Sequence, residues 1–60
     1  MFSYDYCQAR AEEAGVAADV ATLENVREKA LRSRAAWLEI AARMRRVEAA
    51  RIARQAQAET

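Results

Sequence analysis

From residue 23 onward, apolar residues recur at alternating spacings of three and four with no helix breaker between them. One line reads Leu23, Val26, Ala30, Ser33, Trp37, Ile40, Met44 and Val47, then turns basic at Arg51 and Arg54. That heptad spacing predicts a long α-helix with a packing seam. A second stripe, Leu31, Ala35, Leu38, Ala42, Ala49, Ile52 and Ala56, lies roughly 150° away around the same helix. A helix apolar on two faces is buried on two sides, so one neighbour is not enough.

The first third of the chain predicts a shorter helix. Ser3 is placed to act as its N-cap, and Asp5 puts a negative charge in the first turn, where it complements the helix dipole. Gly15 is either the residue that ends this helix after Ala14 or an interior glycine. The apolar run from Val16 to Ala21 contains no turn cluster, which favours the interior reading. The best break lies at Thr22-Leu23-Glu24-Asn25, where the Thr22 hydroxyl would cap a second helix with an acidic first turn. A single continuous helix is the competing reading.

The expected fold is therefore all-α: one domain, an antiparallel helical hairpin with helix one over about 3–21, a turn near 22 and helix two over about 23–57. At 1.5 Å per residue the helices would be about 28 and 52 Å long. Folded back, helix one reaches only to about Ala41 or Ala42, leaving an overhang from Arg43 to about Gln57. An isolated helical tail of that length is marginal in water. Self-association into a helical bundle is the expected completion.

Composition sharpens this picture. The chain is 53 % hydrophobic, but 16 of its 60 residues are alanine, so large core-forming side chains are few. Ordering each residue costs roughly 1.5 kcal/mol, and small cores usually offset that only with a staple or a partner. The lone Cys7 cannot form an intrachain disulfide, and no zinc-ligand set is present. With no His, imidazole catalysis and pH sensing near neutrality are excluded; with one Gly, so is a Gly-rich phosphate loop. No apolar run is long enough for a membrane-spanning helix. The N-terminal residues lack the features of a secretory leader, which predicts cytoplasmic residence.

The net charge of +1 hides an asymmetry. Residues 1–24 carry five acids against Arg10, and residues 32–54 carry seven arginines against Glu39 and Glu48. An acidic first helix is thus biased towards the basic tail of another copy. The tail arginines Arg43, Arg45, Arg46, Arg51 and Arg54 are the candidate anion contacts, since clustered arginines bind phosphates without any motif. Against that role, Glu39 and Glu48 are spaced to pair with neighbouring arginines, and no aromatic residue is interleaved for base stacking.

The candidate interface residues are Leu31, Trp37, Leu38, Ile40, Met44, Val47 and Ile52. Trp37 is core if the hairpin is self-contained and an interface anchor if the core is shared between chains. Phe2, Tyr4 and Tyr6 are expected to pack across helix two near Trp37 and Leu38. Cys7 reads as a small buried apolar residue rather than a catalytic thiol, having no His or nearby Lys to assist it. Glu24 and Glu28 share a helix face but lack the further ligands of a carboxylate metal site, and Glu28 is placed to pair with Arg32. No cofactor, metal or catalytic residue is expected.

Arg10-Ala11-Glu12-Glu13-Ala14, then Thr22-Leu23-Glu24-Asn25-Val26-Arg27, then Ala35-Ala36-Trp37-Leu38 with Ala41 beyond it form a recognisable succession. It resembles a group of small alphaproteobacterial helical-hairpin proteins over about residues 4–43. That group has an Arg-Ala-Glu-Glu-Cys first helix, an Asp-Pro turn leading to an Arg, and an Ala-x-Trp on the second helix. This chain lacks the Asp-Pro turn and has Ala14 where the group often has Cys. The resemblance implies a bacterial cytoplasmic hairpin and carries over no functional residue. The expected function is a small non-enzymatic interaction or structural module: a homo-oligomer, with a dimer favoured, or a module docking on a larger protein. The alternative is a nucleic-acid-associated regulator using the arginine-rich tail.

Overall fold

The computed structural model describes residues 2–59. Among these the chain forms two helices and no strands: α1, Tyr4–Val20, and α2, Glu24–Ala58. The Ser3 hydroxyl accepts a hydrogen bond from the Tyr6 N–H at 3.0 Å, capping α1. Gly15 lies inside α1, which runs through it to Val20. A helical hairpin with an interior glycine is thus the observed arrangement.

The turn differs from expectation in detail. Leu23, not Thr22, is the N-cap of α2, and no side chain caps that end. Ala21 (φ −71°, ψ 131°) and Leu23 (φ −100°, ψ 135°) are both extended, so the chain reverses through conformations open to any residue. The C-terminal end of α1 has no basic residue of its own. Arg27, one turn into α2, supplies the charge instead: its guanidinium donates to the Ala21 carbonyl at 3.3 Å and lies 4.0 Å from Glu24.

The helices run antiparallel, with Gly15 beside Arg34 and Tyr4 beneath Arg45. α1 therefore reaches Arg45, about one turn beyond the Ala41–Ala42 limit set by helix lengths alone. The reason lies in the link. The link has three residues, with Ala21 and Leu23 extended, which lets α2 start beyond the end of α1 rather than level with it. The molecule measures 56 × 17 × 14 Å, essentially the length of α2. From Arg45 to Glu59 every residue is exposed.

Contact between the helices is made by small side chains. Cys7, Ala11 and Ala18 of α1 and Ala41 of α2 are the buried residues, and none is large. On α1 the half-buried Tyr4 and Ala14 complete a line with them at spacings of three and four. On α2 the contact line passes between the two apolar stripes. Ala41 lies at its centre, with the half-buried Trp37 and Leu38, one from each stripe, on either side. The stripes straddle α1; neither of them is covered by it completely.

Candidate interaction surface

The N-terminal end of α1 is fixed on α2 by aromatic packing. The Phe2 ring lies 5.0 Å from Trp37 at 76°, and Tyr6 lies 5.6 Å from Trp37 and 5.2 Å from Phe2. Edge and tilted contacts of this kind suit the ring quadrupoles. The Arg10 guanidinium sits 5.8 Å from the Trp37 ring centre, and Arg45 sits 4.8 Å from that of Tyr4. The Tyr4 hydroxyl also accepts from the Gln8 side-chain amide at 2.8 Å. Phe2 and Tyr6 thus meet Trp37, while Tyr4 meets Arg45 about two turns further along α2.

The remaining large apolar side chains are incompletely covered. Trp37, Leu38, Ile40 and Met44 are half-buried. Leu31, Val47 and Ile52 are 47 %, 62 % and 54 % exposed, and Val26 is 46 % exposed. Beside Trp37 the two helices leave a shallow groove lined by Ala14, Ala17, Val26, Ala30 and Ser33 together with Arg10, Glu13 and Lys29. The groove follows the first apolar seam of α2, which continues through Ile40, Met44 and Val47 towards the uncovered tail.

The five tail arginines are not equivalent. Arg45 is stacked on Tyr4, and Arg46 pairs with Glu39 at 3.5 Å. Arg51 holds Glu48 through two hydrogen bonds, one from Nε at 3.1 Å, and also donates to Gln55 at 3.3 Å. Those bonds and the attraction of the guanidinium hold the Glu48 carboxyl below its ordinary pKa of 4.5, and Arg51 is raised in return. Among the described residues Arg43 and Arg54 make no ion pair. Among the described residues the ion pairs are Arg10–Glu13, Arg27–Glu24, Arg46–Glu39 and Arg51–Glu48. Glu39 therefore reaches Arg46 rather than Arg43, and Glu28 and Arg32 do not meet. On α1, Glu12 and Asp19 likewise form no ion pair with any described residue.

Cys7 is fully buried against α2. Among the described residues no three metal-ligating side chains converge, and no helix is long and apolar enough to cross a membrane. Two features were missed by periodicity alone. One is Arg27, whose role depends on where the turn falls. The other is the small-residue line Cys7, Ala11, Ala14 and Ala18, whose heptad spacing was visible but overshadowed by larger residues on α2. No protein-family model, curated protein or solved structure matches the chain.

Proposed function

We propose that the chain is a non-enzymatic protein-interaction module that works by self-association, the hairpin being one half of a helical bundle. The observation that carries this reading is the mismatch between core and surface. The buried residues are Cys7 and three alanines, while Trp37, Ile40, Met44, Val47 and Ile52 stay partly or largely in water. At about 25 cal/mol per Å² of apolar area buried, so small a core offsets little of the ordering cost. A second chain that covers both flanks and the tail supplies the missing burial. Trp37, Ile40, Met44 and Val47 form one contact face, and Leu31, Leu38 and Ile52 the other.

The test is sedimentation or light scattering combined with circular dichroism. A helical dimer is the expected species at micromolar concentration; a folded monomer there overturns the reading. Trp37→Ala should dissociate or unfold the assembly, with a loss of about 3–5 kcal/mol. Arg45, Arg46 and Arg51 already have partners within the chain, which argues against the tail as a phosphate-binding surface. Binding to DNA or RNA at low salt should accordingly be absent. Binding that falls steeply with salt, and is lost on replacing Arg43, Arg45 and Arg46, would instead support the nucleic-acid-associated regulator.

A further inference from the structure

We infer that the partner is a second copy running antiparallel, its α2 laid along the Trp37 groove with the twofold axis at Ile40. This rests on the self-association reading and adds its geometry. Three independent features of the chain point the same way.

The first is the symmetry of the α2 seam about Ile40. Ser33 and Val47 stand seven residues either side of it, Val26 and Arg54 fourteen, and Trp37 and Met44 three and four. Two antiparallel copies crossing at Ile40 therefore bring seam to seam along the whole helix. In the hairpin, residue n of α1 is level with about residue 49 − n of α2, as Gly15 with Arg34 and Tyr4 with Arg45 show. The twofold then sets Met44 and Val47 of the second copy level with Ala14, Ala17 and Ser33, small side chains among those lining the groove. Half-buried Met44 and exposed Val47 thus meet a stretch of small residues.

The second feature is length. α1 has 17 residues and spans about 26 Å, and the tail from 46 to 58 spans about 20 Å. By the two registers above, an antiparallel second copy places its α1 level with about residues 35–51, so each chain covers the first part of the other's tail. The dimer is then no longer than one α2.

The third is charge. α1 carries four acids against Arg10, and the stretch 43–58 carries five arginines against Glu48. The antiparallel arrangement sets Glu12 level with Arg43 of the second copy and Asp19 level with its Arg51. Among the described residues Glu12, Asp19 and Arg43 form no ion pair. A parallel dimer would instead set the two basic tails side by side, which like-charge repulsion disfavours.

The experiment is distance measurement between spin labels on single introduced cysteines, in a Cys7→Ser chain whose helicity and mass match the native protein. A label at Ala58→Cys should report an intermolecular separation of about 50 Å, and one at Glu39→Cys should fall under about 20 Å. Short distances at both sites denote a parallel dimer and overturn the inference while leaving self-association standing. A folded monomer overturns both. Val47→Asp, at a position 62 % exposed in the hairpin, should weaken dimerisation at least tenfold with helicity kept at high protein concentration. A dimer unaffected by Val47→Asp overturns the placement of the seam even if the helices run antiparallel.

Discussion

Gly15 occupies a helical position that does not require glycine. It has no positive φ, and a Cβ built there would meet the Arg34 Cδ and Nε at 3.5 Å, an ordinary van der Waals distance from a flexible side chain. An interior glycine costs about 1 kcal/mol relative to alanine, mostly through the freedom it has in the unfolded chain. Gly15→Ala should therefore stabilise the protein by roughly that amount in urea unfolding; destabilisation would mean that Arg34 cannot yield. Glu48 permits a different test at the same scale. Its folded-state pKa is depressed by Arg51, so the pair's stabilisation is present above the ordinary value of 4.5 and is lost as pH falls below it. Both side chains are well exposed, so the effect on overall stability is slight. The carboxyl chemical shift is the better readout. In an NMR titration Glu48 should have a midpoint below the ordinary value of 4.5, and Arg51→Ala should raise it.

Helix ends show how much local chemistry predicts and where it stops. Ser3 satisfies an otherwise unpaired N–H at the start of α1, and Ser3→Ala should cost about 1 kcal/mol of stability. Thr22 has the same kind of hydroxyl, but Leu23 takes the cap position and Thr22 makes no such bond. Thr22→Ala should change stability by no more than about 0.5 kcal/mol, the range of surface substitutions away from special features. Equal losses from the two variants would show that Thr22 caps α2 in solution. Both helices, the Ser3 cap and the interior placement of Gly15 were legible in the sequence because each follows from residues close along the chain. The turn was legible only approximately. Its extended residues, Ala21 and Leu23, adopt conformations that leave no Gly or Pro signature, and its closing residue, Arg27, acts across it. The face that α2 turns to α1 was not legible either. It was chosen by how closely the small residues Cys7, Ala11 and Ala18 of α1 let the two helices approach, and periodicity ranks such residues below the larger ones beside them.

At the scale of the whole molecule, the stripes that made α2 look two-faced become the two flanks of a thin hairpin. A 56 Å rod only 14 Å thick has no interior away from its single line of helix contact, so its large apolar residues must lie along its sides. On the self-association reading, such a chain derives much of its stability from the second copy covering those sides, and mass action makes that dependence measurable. If folding and dimerisation are one event, raising the protein concentration a hundredfold stabilises the dimer by about 2.7 kcal/mol. Taking about 2 cal/mol/K per residue for the unfolding entropy of two 60-residue chains, the melting temperature should rise by about 10 °C over that range. Val47→Asp should lower the melting temperature most at the dilute end, where the equilibrium already favours separated chains. A melting temperature independent of concentration would mean that the hairpin, despite its core of Cys7 and three alanines, holds itself together alone.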